Sequence, residues 1–260
     1  MKTRTIKCQF KNSRGLTLDA RLDLPASAAL DEIEHYTTFS HCFTCSKETI
    51  TTFRLSRQLA EAGYGVLRFD FTGLGDSEGD FASSTFSTTR DDLQCAIAFL
   101  QQEYKSPSFL MGHSMGGTTA LSVANEHDSV KAVVTVASPS EPDHVLHHFG
   151  RVLTQLEHGF AASFEVAGQY FDIEPGFIED VRSYDMKQML SELDKPVLVV
   201  NIENDALVDA DNADEIKAWT ASNVEVVDVK GSDHLLSNRQ ASEFVAGEIV
   251  NWLKKHIAAN

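Results

Sequence analysis

Ser114 is the residue of this chain best placed to act as a nucleophile. It stands in Gly112-His113-Ser114-Met115-Gly116, after the apolar run Phe109-Leu110-Met111 and before Gly117-Thr118-Thr119-Ala120-Leu121. The run reads as a buried strand and the small residues as a helix. The serine therefore falls on a tight strand-to-helix turn, the context a nucleophile elbow requires. The two glycines leave room for strand and helix to close around a residue in unfavourable backbone geometry. A hydroxyl at this point stands at the carboxyl edge of a sheet and the amino end of a helix, where backbone N–H groups stabilise developing negative charge. The plainer use of such a turn is a helix cap in a glycine-rich connection. Motif and context together favour the nucleophile.

An activated serine needs a base, and the base needs an orienting acid. The chain has ten histidines, so position must choose among them. His234, in Gly231-Ser232-Asp233-His234-Leu235, lies between the last strand and the final helix and completes the chain order serine, acid, histidine. The acid is expected just after the preceding strand. Asp205, in Asn204-Asp205-Ala206, fits best, with Asp209 and Asp211 as competitors. Asp233 adjoins the histidine but points away from it in most turn geometries. An oxyanion needs two backbone donors. The amide of Met115 follows the nucleophile, and the loop His41-Cys42-Phe43 after an earlier strand offers the amide of Phe43. This chemistry is acyl transfer through a covalent intermediate, and it calls for no cofactor and no metal.

Other motifs carry less. Cys42-x-x-Cys45 has redox spacing, but a thioredoxin-like context is missing, and two small residues packed under the oxyanion loop is the preferred reading. His144, His147 and His148 cluster without a matching set of carboxylate or thiolate ligands, and are expected on a solvated or cap-facing surface. Gly73-x-Gly75 lacks the third glycine and the helix start of a dinucleotide fingerprint.

The elements that must hold these residues follow from hydrophobic periodicity. Residues 6–10 and 16–24 alternate around Asn12-Ser13-Arg14-Gly15 and predict a hairpin. Strands are expected over 36–40, 65–71, 130–137, 196–203 and 224–229, besides the one that ends at the elbow. Helices are expected over 49–62 with Ser46 as a cap, over 88–104, after Ser114, over 212–221 and over 240–256. Strand and helix alternate, which implies a doubly wound, mostly parallel sheet with helices on both faces, an α/β fold. Residues 141–192 interrupt it after the sixth strand with helical patches over 145–156, 160–170 and 178–190. The interruption is too long for an ordinary connection and reads as a small helical cap within one domain of residues 1–260.

Composition narrows the partners. A formal charge of −16, from 38 acidic and 22 basic residues, argues against nucleic acid and anionic membrane surfaces. No signal peptide and no membrane-length apolar run are visible. Four cysteines in 260 residues do not make a disulfide scaffold, so a cytoplasmic location is the expectation. The expected partner is a small-molecule ester substrate, and oligomeric state is not readable.

The elbow, the His41-Cys42-Phe43 loop, Asp70-Phe71-Thr72-Gly73-Leu74-Gly75-Asp76-Ser77 and Asp233-His234 together resemble the α/β-hydrolase superfamily over nearly the whole chain. The runs 41–47, 68–75, 138–145 and 232–236 look like the bacterial hydrolase module often fused to an OsmC-like domain. That second domain is not expected within residues 1–260. The resemblance implies Ser114, Asp205 and His234 as a triad, with the Phe43 and Met115 amides as oxyanion donors. The expected function is a serine carboxylesterase for small to medium acyl esters. The alternatives are a thioesterase or acyltransferase with the same triad, and a non-catalytic binding module on the same scaffold.

Overall fold

Four consecutive strands with no exposed residue to spare mark the middle of the sheet. In a computed structural model, which describes residues 2–257, β3 (Tyr36–Ser40), β4 (Gly65–Phe69) and β6 (Ala132–Val136) are buried at every position, and β5 (Pro107–His113) at all but one. Continuous apolar runs of this kind suit parallel strands covered on both faces. The sheet has eight strands in the order β1-β2-β4-β3-β5-β6-β9-β10, where β1 is Thr3–Lys11, β2 Thr17–Pro25, β9 Val197–Ile202 and β10 Val224–Val229. β1 and β2 form the expected antiparallel hairpin, β2 pairs antiparallel with β4, and the remaining neighbours are parallel.

The order reverses at β3, which sits between β4 and β5 although it precedes both. Such a switch point opens a crevice at the carboxyl ends of the strands, where α/β sheets place their ligands. The loop after β3 and the elbow after β5 both empty into it.

Helices close the two faces. α1 (Ile50–Glu61) and α8 (Arg239–His256) pack on one side, through Leu55 and Leu59 of the first and Val245, Ile249, Trp252 and Leu253 of the second. α2 (Phe86–Glu103), α3 (Met115–Val123) and α7 (Asp211–Trp219) cover the other. α2 turns Leu93, Ala96, Ile97 and Leu100 inward at helical spacing, and its start is fixed by a capping box between Thr85 and Thr88. Ser46, expected to cap α1, does not. Thr49 is the cap position, and its hydroxyl accepts the Ser46 amide at 3.1 Å. Residues 46–49 are a turn because the next amide, that of Lys47, is drawn to Asp70 Oδ1 at 2.6 Å.

The insertion after β6 is present but is not wholly helical. A 3₁₀ turn over Pro142–His148 leads to α4 (Arg151–Glu157), and residues 160–170, expected as helix, belong instead to an antiparallel hairpin of β7 (Ala162–Val166) and β8 (Gln169–Ile173). The hairpin turns at Ala167 and Gly168, both at positive φ (52° and 81°), the backbone that suits a two-residue strand connection. α5 (Gly176–Arg182) and α6 (Met186–Ser191) return the chain to β9. Leu146, Phe149, Leu156, Ile173, Phe177 and Ile178 pack with Phe86 and Met115 into a third apolar cluster, so the insertion is a cap over the elbow. Among the described residues no helix is long and apolar enough to cross a membrane.

Candidate active site

Ser114 joins β5 to α3 at φ 54° and ψ −130°, in a region that L-residues seldom occupy outside strained functional turns. The turn is possible because its neighbours lack side chains. A Cβ on Gly112 would overlap the Gly116 carbonyl, and one on Gly116 would overlap the Ser40 and His41 carbonyls. The start of α3 therefore lies directly against the end of β3, and Ser114 is bordered by the two segments that carry the Met115 and Phe43 amides.

The loop after β3 is fixed at several points. His41 is fully buried, and its Nε2 accepts the Phe71 amide at 3.2 Å, which leaves Nδ1 to donate to the Cys42 carbonyl at 2.8 Å. Burial pushes its pKa down, against the opposing charge of Asp70, in keeping with that neutral tautomer. Cys42 and Cys45 were expected as separate small residues. Their sulfurs are joined instead, because a turn in which the Cys45 amide donates to the Cys42 carbonyl at 3.1 Å brings the two Cα atoms to 5.2 Å. At the far end, Lys47 is 1 % exposed and its ammonium reaches Asp70 at 2.5 Å, Asp76 at 2.8 Å and Asp19 at 2.9 Å. The three carboxylates alone have metal-like spacing, and the lysine supplies the cation among them. Burial lowers the Lys47 pKa, but its hydrogen bonds to Asp70, Asp76 and Asp19 more than reverse this and raise it.

His234 and Asp205 meet on the loops that follow β10 and β9. His234 Nδ1 lies 2.7 Å from Asp205 Oδ2, with the two side chains 9 % and 1 % exposed. Asp205 Oδ1 accepts the Leu207 and Val208 amides at 2.8 and 3.3 Å. Burial raises the carboxyl pKa, but the His234 hydrogen bond and charge, with those two amides, outweigh it and hold the group below its usual range. Asp209 and Asp211 are exposed, and Asp233 is exposed and bonded to the Ser237 amide at 2.8 Å. Of the candidate acids, the structure brings Asp205 to the histidine. Engaging Nδ1 leaves His234 Nε2 as the nitrogen available for proton transfer. The His234 carbonyl in turn lies 2.8 Å from His113 Nε2, which ties the histidine loop to the strand that ends at Ser114.

The pocket beside the elbow is apolar, lined by Phe43, Phe71, Leu74, Phe81, Met115 and Phe177. The Phe43 ring is its hub. It packs on Phe81 and Phe177 at 5.3 and 5.2 Å between centroids and on Phe149 and Phe164 of the cap at 6.1 Å. The histidine cluster lies on the cap, away from that lining. His144 and His148 each direct Nε2 to the Leu207 carbonyl at 2.9 Å, so the cap is hydrogen-bonded to the Asp205 loop. His113, Lys47 and the Cys42–Cys45 bond are not legible in the sequence as parts of the site.

This sheet order, with the serine turn after β5 and a cap after β6, defines an α/β-hydrolase fold. A family model described as Hydrolase_4, serine aminopeptidase S33, matches residues 47–182, and the chain belongs to that family of hydrolases. The esterase domain of a Rhodothermus marinus protein is 32 % identical, with a TM-score of 0.77 over 99 % of this chain and 100 % of that one. Est1E from Butyrivibrio proteoclasticus shares the fold at 18 % identity, with a TM-score of 0.78 over 97 % of this chain and 99 % of its own. The mitochondrial palmitoyl-protein thioesterase ABHD10 of Mus musculus is 24 % identical over 68 % of this chain. That alignment spans 61 % of the mouse protein's length.

Proposed function

We propose that this hydrolase is a serine carboxylesterase for small to medium acyl esters, built on Ser114, His234 and Asp205. The observation that carries the reading is the 2.7 Å contact between Asp205 and His234, on a loop bonded to the residue before Ser114. His234 Nε2 takes the Ser114 hydroxyl proton as Oγ attacks the ester carbonyl. The Phe43 and Met115 amides hold the tetrahedral oxyanion. The alkoxide leaves with the proton from His234, and water, deprotonated by the same nitrogen, hydrolyses the acyl-enzyme. Asp205 fixes the tautomer and stabilises the imidazolium without itself taking the proton. The likeness to an esterase domain at 32 % identity supports the ester as the substrate. A cytoplasmic setting is the proposed one.

A second reading is favoured by one comparison: a relative that is named a thioesterase. It uses the same residues and differs in the leaving group. A screen of p-nitrophenyl esters from acetate upward, beside acyl-coenzyme-A thioesters, tests both, with Ser114→Ala as the blank. Serine-dependent ester turnover is expected, peaking at short to medium chains. Turnover of thioesters alone moves the reading to a thioesterase. Failure of a phosphonate probe to label Ser114 in the wild-type protein overturns both and leaves a binding module.

A further inference from the structure

His113 occupies the interior of the elbow motif and takes no part in the reaction sequence above. It is fully buried at the end of β5, next to Ser114. Its Nε2 lies 2.8 Å from the main-chain carbonyl of His234, and the two imidazoles pack with centroids 4.8 Å apart. Its Nδ1 is buried without a hydrogen-bond partner. A carbonyl only accepts, so Nε2 carries the proton, and a neutral ring then leaves Nδ1 bare. Burial opposes a second proton, and the neighbouring His234 and His41 add to that. The His234 carbonyl and the Asp205 charge work the other way. The balance pushes the His113 pKa down to about 3. As mere filling, a ring with an unpaired buried nitrogen is a costly choice.

The geometry points to His113 as a positioning residue that sets the separation of Ser114 and His234, by bonding the main chain of the histidine loop to the nucleophile strand. This rests on the reading of Ser114 and His234 as nucleophile and base. Topology supplies the need. The histidine loop leaves β10, the edge strand, and must cross β9 and β6 to reach the end of β5. On its far side α1 holds it, through Thr51 Oγ1 to the Leu235 carbonyl at 2.5 Å and Arg54 Nη1 to the Ser237 carbonyl at 2.8 Å. His113 holds it on the side of the serine. Proton transfer requires the base within hydrogen-bond reach of the hydroxyl, so slack in this loop acts directly on the chemical step.

Three substitutions separate a donor from a spacer. A glutamine amide reaches the place of Nε2, an asparagine amide reaches only that of Nδ1, and leucine fills space without donating. With p-nitrophenyl acetate, His113→Leu and His113→Asn are expected to lower kcat about 10- to 100-fold with KM within about twofold. Phosphonate labelling of Ser114 should slow by the same factor. His113→Gln should recover kcat to within about fivefold of wild type. A kcat for His113→Leu within about threefold of wild type, or a glutamine variant no better than leucine, overturns the proposal.

If the variants fail to fold, the wild-type protein carries the test. Imidazole ¹⁵N spectra from about pH 5 to 9 should show a neutral His113 protonated at Nε2 throughout. A proton on Nδ1, or titration within that range, overturns the proposal. The His234→Ala variant keeps the two readings apart. Turnover that survives it refutes the choice of base, whereas the His113 tautomer is read independently of turnover.

Discussion

Asp205 spends both of its oxygens on orientation. Oδ2 accepts a hydrogen bond from His234 Nδ1 at 2.7 Å, while Oδ1 is pinned by the Leu207 amide at 2.8 Å. An amide in its place offers His234 a donor where an acceptor is needed and favours the wrong tautomer. Asp205→Asn should lower kcat about 10⁴-fold, the scale of that change in the serine protease triad. Steady-state kinetics on p-nitrophenyl esters check it, and a loss under about tenfold would make Asp205 a structural residue only.

The same contacts give stability an acid limit. The Asp205 pKa is lower folded than unfolded, where a free carboxyl titrates near about 3.9. Its contribution is therefore complete above that value and is lost as pH falls through the lower folded value. Asp19 shifts the same way, because its bonds to Lys47 and Gln9 outweigh its burial. Thermal melts taken below about pH 4 should fall more steeply for wild type than for Asp205→Asn. Parallel curves would refute this.

Lys47 is the cation of a buried acidic cluster, and its removal strands Asp70, which is 0 % exposed. Lys47→Met should destabilise by about 3–5 kcal/mol, the usual cost of leaving a buried charge unpaired. It should also lower kcat, since the loop that carries the Phe43 amide loses one end. The raised Lys47 pKa makes the ion cluster fully stabilising below the unfolded lysine value of about 10.4 and weaker as pH rises through the higher folded value. Urea melts of the two proteins should therefore differ most at neutral pH and converge only in strong alkali.

Phe177 is buried, and its ring closes the pocket against Phe43 at 5.2 Å. Phe177→Ala should extend the acyl profile. Each methylene newly accommodated is worth about 0.8 kcal/mol, or about fourfold in kcat/KM. The ratio of octanoate to acetate ester turnover reads this directly, and an unchanged ratio would place the acyl chain elsewhere.

The parallel strands, the elbow and the Asp205–His234 loops were legible because each depends on local signals: an apolar run, a glycine pair, a position after a strand. The hairpin of β7 and β8 was not. Its strands are only five residues each and mostly exposed, so their alternation is too short to outweigh a helical reading, and its turn uses Ala167, a poor advertisement for positive φ. Lys47 and His113 escaped for another reason. Their partners are distant in sequence, at Asp19, Asp70 and His234, and neither residue type carries a motif of its own. The Cys42–Cys45 bond depends on a turn that only tertiary packing of the 41–49 loop defines.

Phe43 belongs to two structures at once. Its main chain continues the segment that lies against the start of α3, and its ring is gripped by Phe149, Phe164 and Phe177 of the cap. On the proposed mechanism, an acyl group entering the pocket would displace those rings, and so act on the same residue whose amide is proposed to receive the oxyanion. Recognition of the acyl chain would thereby be coupled to assembly of the donor pair. Discrimination among substrates should accordingly be felt at the barrier more than in the strength of the initial complex. A poor substrate would occupy this enzyme readily and be turned over slowly.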